Sequence, residues 1–427
     1  MPTAHKAKIA ASARLKPMTD LHNSAGHVLL ARQPIYDRDL NIWGYELLFR
    51  SSTRNQADIS SGDAATSEVL LNAFGEAGLY EITGDRPALI NFTRTLIFNL
   101  PPFDPNRYAI EILEDIETDD ELIAALKKAK QGGTQLILDD FILNHRSAPL
   151  LHIADMIKVD VLAISEKTIE KYAKVFLPRN IKLLAEKVET YDMYQYCKSL
   201  GYQYFQGYFL SRPQIIHGRK ISENKLVVLR ILSELQRKDA SLHEISKILE
   251  QDPQLSYKLL RLVNSAAFAR VAKCSSLQQA VTLLGLEHIR SWASLIALGQ
   301  LEDKPEALRQ QSIERALMCQ SIGKKIGHHA QQEYYTIGLF SLLDAFLDQP
   351  LDDILDRLQL PNIFTNALLT NEGFMGIALQ TTLMYERGEF GQVDFKALEH
   401  FDISPEYLDN SYREAISKAD ILIKEIN

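Results

Sequence analysis

Short apolar runs rich in branched and aromatic side chains recur along the first half of the chain, at 28–31, 42–49, 88–92, 108–113, 135–138, 156–159, 181–185 and 202–205. Runs of this length and composition read as buried strands. Helical periodicity fills most of the gaps, as at 64–74 and at 120–130, where Gly132-Gly133 stops it. Strand–helix alternation predicts a parallel sheet, and eight strands in about 190 residues fit a closed TIM-like α/β barrel better than an open sheet. One connection differs. Only residues 32–41, with Asp37, Arg38 and Asp39 among them, separate the first two runs. That is too short for a helical crossover and predicts one antiparallel strand pairing. Residues 1–26 show no sustained period and are expected to form a mobile leader.

After Arg212-Pro213 the strand pattern ends, and Leu226, Leu229, Ile231, Leu232 and Leu235 begin a helical periodicity that continues to the C-terminus. Ser241 and Glu244 have capping-box spacing, Asp252-Pro253 reads as an N-cap followed by proline at the first helical position, and Ser276 opens a further helix. The expected organisation is a leader at 1–26, a barrel at 27–217 and an all-α domain at 218–427.

The 427 residues, 46% of them hydrophobic, are enough for two or three domains with substantial cores. A formal net charge of −8 argues against a nucleic-acid polymer or an anionic membrane as the main partner. Cys197, Cys274 and Cys319 lie far apart, which supports neither a disulfide framework nor a zinc ribbon. No run approaches a membrane span or a signal peptide, so a cytoplasmic location is expected.

The polar residues add chemistry. Nearly every strand carries, at or near its end, a group able to bind metal or phosphate: Glu46, Asn91, Glu111, Asp139-Asp140, Lys158, Glu186 and Gln206. The loops beyond the C-terminal ends of barrel strands build active sites. Burying one such charge costs several kcal/mol unless it is paired, so seven strands doing so together point to a site. Carboxylates with one amide oxygen are hard ligands suited to Mg²⁺ or Mn²⁺, and two such ions suit in-line displacement at a phosphodiester. Lys158 is then a partner for the attacking water or the phosphate charge, and Arg50 for a substrate phosphate. The bland alternative is a set of structural ion pairs inside a packed barrel.

The elements Gln33-Pro34-Ile35, Glu46-Leu47-Leu48-Phe49-Arg50, Asn91, Glu111, Glu114, Asp139-Asp140-Phe141, Lys158-Val159-Asp160, Glu186 with the residues up to Thr190, and Gln206-Gly207-Tyr208 resemble, in order and spacing, the EAL domain of cyclic di-GMP phosphodiesterases. The resemblance spans about 27–217. It implies a TIM-like barrel with one antiparallel strand and hydrolysis of cyclic di-GMP to the linear dinucleotide with two Mg²⁺ or Mn²⁺ ions. Carried over by position, Glu46, Asn91, Glu111, Asp139, Asp140 and Glu186 would hold metal, and Lys158 would position the water. Arg50, Gln33 and Gln206 would serve the substrate side, and Glu114 would anchor a loop. Two features depart from the family. Leu47 replaces the signature alanine, and the loop 142–149 lacks the family's glycines, whose positive φ Ile142 would adopt only under strain. The altered loop predicts weak or conditional catalysis.

Residues 248–268 and 276–290 resemble the HDOD domain, a relative of metal-dependent HD phosphohydrolases that lacks their ligands. Here Leu343-Asp344 stands where a His-Asp pair would be, so no metal is expected in the helical domain, and Asp344 is expected to serve as a hydrogen-bond acceptor. His328 and His329 are adjacent and would point about 100° apart on a helix, which does not suit one shared ion. The helices expected at 241–250 and 253–264 offer only Lys258 and Arg261 on the second, too few for DNA recognition. Trp43 and Trp292 are expected to pack. The helical half thus reads as a regulatory module that binds protein partners, and the barrel as a phosphodiesterase, with homodimerisation open. The alternatives are a non-catalytic adaptor that binds cyclic di-GMP or a protein, and an enzyme for another phosphodiester.

Overall fold

The computed structural model describes residues 28–51, 78–113, 116–139, 148–214, 222–237, 239–264, 274, 276–301, 303–327 and 331–426. The leader, the helix expected at 64–74, Glu114, Asp140, residues 142–147 of the altered loop, and His328 and His329 lie outside the described residues.

Eight strands close a barrel in chain order: β1 (Val28–Tyr36), β2 (Ile42–Ser51), β3 (Ala88–Phe92), β4 (Tyr108–Ile112), β5 (Gln135–Leu138), β6 (Met156–Asp160), β7 (Lys182–Glu186) and β8 (Tyr204–Phe205). β1 runs antiparallel to β2 and β8, and all other neighbours are parallel. The hairpin turn is built by Asp37, whose carboxylate accepts from the N–H groups of Asp39 and Asn41. β1 extends to Tyr36, beyond its apolar run, because Arg32, Gln33 and Pro34 pair with β2 although they break the apolar pattern.

Helices begin where polar caps satisfy their first free N–H groups. Asp119 caps Asp120–Gln131, Ser165 caps Glu166–Phe176 and Thr190 caps Tyr191–Ser199. In the helical half, Ser222 caps Glu223–Gln236, Ser241 and Glu244 form the full capping box of Leu242–Glu250, Asp252 caps Pro253–Val263, and Ser276 caps Leu277–Leu284. Leu255, Leu259 and Leu262 of Pro253–Val263 are fully buried, so that helix is a core element. Trp43 packs on Tyr204 with ring centroids 4.4 Å apart, and Trp292 is buried.

β1 meets the helical domain with both faces: Leu29 and Ala31 lie on the face of Gln33 and Ile35, beyond the polar layer, and Arg32 on the opposite face. Leu29 and Ala31 belong to the same apolar cluster as Val228, Leu339 and Tyr412. Arg32, 3% exposed, pairs with Glu314 at 2.5 Å and stacks 4.2 Å over the Tyr45 ring. Near the domain junction, Asp348 accepts from the Gln214 N–H at 2.9 Å and pairs with Lys225 and Lys304 at 2.5 and 2.7 Å.

Candidate active site

Side chains alternate along a strand, so residues two apart share a face. Ile35, Leu89, Ala109, Ile137, Met156, Leu184 and Tyr204 form one apolar cluster, joined by Trp43. This is a floor across the barrel interior. Two residues from each of these positions, toward the end where the parallel strands terminate, stand Gln33, Asn91, Glu111, Asp139, Lys158, Glu186 and Gln206. Glu46, opposite Gln33 in the β1–β2 register, supplies the remaining strand. Seven strands thus deliver one residue to the floor and the next inward residue to a polar layer above it.

Lys158 is the centre of that layer. Its side chain is 1% exposed, and its Nζ lies 3.0 Å from Glu46, 2.9 Å from Glu111, 2.9 Å from Asp139 and 2.8 Å from Glu186. Burial pulls the ammonium pKa down, but Asp139, Glu111, Glu186 and Glu46 outweigh it and hold the value well above that of an ordinary lysine. One ammonium does not balance four carboxylates. Burial pushes Glu111 well above the usual carboxyl range, and pushes Glu186 up to about 8, in both cases against the pull of Lys158.

Gln206 closes the layer. Its Nε2 donates to Glu46 Oε2 at 2.5 Å and to Gln33 Oε1 at 2.9 Å. Gly207 makes this possible: it has φ +145°, and a Cβ there would lie 2.2 Å from the Val188 carbonyl oxygen. The Val188 N–H in turn donates to the Gln206 carbonyl.

The donor set suits a divalent cation. The Asn91 Oδ1 is buried with no hydrogen-bond partner, and of the fully buried Glu111 carboxylate one oxygen faces the Lys158 ammonium at 2.9 Å while Oε2 has no hydrogen-bond partner. Buried oxygens in this state are costly unless a cation takes their lone pairs. Among the described residues no three acidic, histidine or cysteine side chains stand as a ready-made metal cage, because the carboxylates are gathered around Lys158.

The sequence-predicted residues therefore converge, with the exceptions of Asp140 and Glu114, which lie outside the described residues, and Arg50, of which only the backbone is described, paired with Leu29. Asp344, in the first turn of Leu343–Leu347, accepts from the Ala345 N–H at 2.8 Å, and burial raises its pKa to about 6. What sequence reasoning missed is the contribution of the helical domain. The Gln33 amide donates to the carbonyl of Arg387 at 3.1 Å, across 354 positions of sequence, and no local pattern announces such a contact.

An eight-stranded barrel with one antiparallel strand and a ring of carboxylates about a buried lysine defines an EAL-type barrel, here followed by a helical domain. Residues 81–213 match the EAL domain model and residues 223–346 the HDOD domain model, in that order, and the chain belongs to the family that joins the two. The EAL match takes in β3 to β8, while Gln33 and Glu46 precede it. Among curated proteins, the chain is 34% identical over 356 residues to the uncharacterized protein YuxH of Bacillus subtilis, covering 81% of this chain and 87% of YuxH. It is 31% identical over 377 residues to the cyclic di-GMP phosphodiesterase CdgJ of Vibrio cholerae, covering 87% of each. Among solved structures, a Klebsiella pneumoniae BlrP1 calcium/cy-diGMP complex shares 25% identity over 44% of this chain and 55% of its own, with a TM-score of 0.36. Among the described residues, no helix is long and apolar enough to cross a membrane.

Proposed function

We propose that the barrel hydrolyses cyclic di-GMP to the linear dinucleotide, using two Mg²⁺ or Mn²⁺ ions. The observation that carries this reading is the ring of Glu46, Glu111, Asp139 and Glu186 around Lys158, with the unpartnered Asn91 oxygen beside it in the β3–β4 register. The likeness to CdgJ supports the substrate. Glu46, Asn91, Glu111, Asp139, Asp140 and Glu186 would hold the ions, which when bound supply Lewis acidity and an activated water.

The chain's own residues do the rest. Lys158, charged over the whole working pH range, presents N–H donors to the water and to the negative charge that builds on the phosphate. Gln206 donates to Glu46 and so fixes the direction in which that carboxylate offers its free lone pairs. Gln33 and Arg50 stand on the β1–β2 hairpin as the substrate side, and the apolar floor excludes water from below. The loop without glycines lowers turnover, and the helical domain serves as the protein-binding module.

The test incubates the full chain with cyclic di-GMP and either ion, with Glu46→Ala as control. Linear product from the wild type alone is expected. Tight binding without product from either protein would replace this reading with that of a nucleotide-responsive adaptor.

A further inference from the structure

Three hydrogen bonds link the helical domain to the centre of the barrel site. The Gln33 Nε2 donates to the Arg387 carbonyl, the Gln33 Oε1 accepts from Gln206, and Gln206 donates to Glu46. A backbone carbonyl and a carboxylate can only accept. Both ends of this chain are therefore acceptors, and the two amides between them have one mutually consistent orientation. In that orientation the two hydrogens of Gln206 Nε2 go to Gln33 and Glu46, and its buried Oε1 is left with no partner. Without the Arg387 carbonyl, Gln33 Nε2 keeps only the long 3.5 Å contact to the Tyr208 hydroxyl, so its Oε1 is held on Gln206 less firmly. Gln206, donating to Glu46, then loses part of the support that orients it.

The carbonyl is held in place from inside the helical domain. Helix Gly373–Glu386 ends at Glu386, whose carboxylate takes a two-pronged pair from the buried Arg315, at 2.6 and 3.0 Å. The chain then turns at Arg387-Gly388, where the Arg387 guanidinium stacks 5.0 Å over the Tyr208 ring, next to Gly207. Gly388 has φ +70°, and a Cβ there would lie 2.6 Å from the Leu48 side chain of β2. The left-handed φ favours glycine here, and a larger residue would have to displace the end of the Leu48 side chain.

We propose that the helical domain is part of the barrel's catalytic apparatus, with Arg387 as a positioning residue: its carbonyl fixes Gln33, and Gln33 fixes Gln206 on Glu46. Any partner that shifts helix Gly373–Glu386 then changes turnover without touching the substrate. This rests on the phosphodiesterase reading for its kinetic consequence, but the positioning itself has an independent readout.

A side-chain substitution cannot remove a carbonyl, so the perturbation is Gly388→Val, with Gly388→Ala as the milder form. Both strain a positive φ and press on Leu48. Leu48→Ala, added to Gly388→Val, makes room again. Loss of one orienting hydrogen bond predicts about a tenfold fall in kcat for the full chain. In ¹⁵N-glutamine-labelled protein, the side-chain amide signals of Gln33 and Gln206, assigned with Gln33→Glu and Gln206→Glu, should exchange faster with solvent in Gly388→Val. Adding Leu48→Ala, which relieves the contact but not the strained φ, should restore part of kcat and part of the protection together. Unchanged amide exchange in Gly388→Val overturns the proposal, as does recovery of kcat without protection, or of protection without kcat, on adding Leu48→Ala. If the wild type yields no linear product, the phosphodiesterase reading fails, and the amide exchange alone decides the positioning.

Discussion

Lys158→Met removes a buried cation that lies within 3.0 Å of four carboxylates while keeping an unbranched side chain of similar length. The formal charge of the cluster goes from −3, four carboxylates and one ammonium, to −4. Removing one partner of a buried ion pair costs about 3–5 kcal/mol. Glu111 and Glu186, already pushed upward by burial, take up protons and keep the loss near the lower end. At roughly 3 °C per kcal/mol for a domain of this size, the expected fall in Tm is about 9 °C. Differential scanning calorimetry in EDTA measures it. A divalent cation restores positive charge to the cluster, so Mn²⁺ should raise the Tm of Lys158→Met more than that of the wild type. The variant should also lose phosphodiesterase activity by about 10²-fold or more. A Tm within about 2 °C of wild type in EDTA, with an equal response to Mn²⁺, would refute the view that the ammonium holds the carboxylates together.

Other expectations follow from single contacts. Asn91→Leu removes a buried oxygen that has no partner, so the metal-free protein should gain about 1 kcal/mol in urea unfolding while the Mn²⁺-induced rise in Tm shrinks; retention of the full Mn²⁺ response would show that Asn91 is not a ligand. Glu314→Leu leaves Arg32 buried and unpaired, and should cost about 3 kcal/mol, read as a lower urea midpoint; a midpoint shift worth less than about 0.5 kcal/mol would contradict it. Asp344 has a folded pKa raised from 3.8 to about 6, so the folded state binds its proton more tightly than the unfolded state, and stability is fully present below about pH 4 and lost as pH rises through 6. Asp344→Asn should therefore stabilise by up to about 3 kcal/mol at pH 8 and by much less at pH 4.5; equal effects at the two pH values would remove burial of the charge as the cause.

The strands were legible because they are buried on both sides and so read as short runs dominated by branched and aromatic residues, and the caps because Ser241, Asp252 and Ser276 bond within three residues of themselves. β1 outruns its apolar run for the complementary reason: Arg32 and Gln33 look like the end of a strand until partners far along the chain receive them. The polar layer was legible as a set, since each member stands near its strand's end, two residues from an apolar partner in most cases. Its internal order was not. That Lys158 stands at the centre follows from barrel closure, which sets the distances between β2, β4, β5, β6 and β7.

The sequence by itself determined the period, the caps, the type of donor on each strand and the change from barrel to helices, because these depend on residues within a turn or two of one another. The tertiary structure decided what each face meets. Leu29 and Ala31 are apolar in the sequence, but their burial against the helical domain depends on helices some two to four hundred residues away. The Arg387 carbonyl on Gln33 is a backbone group that no side-chain pattern encodes. Periodicity reports that a surface is covered; only the packed chain specifies by what.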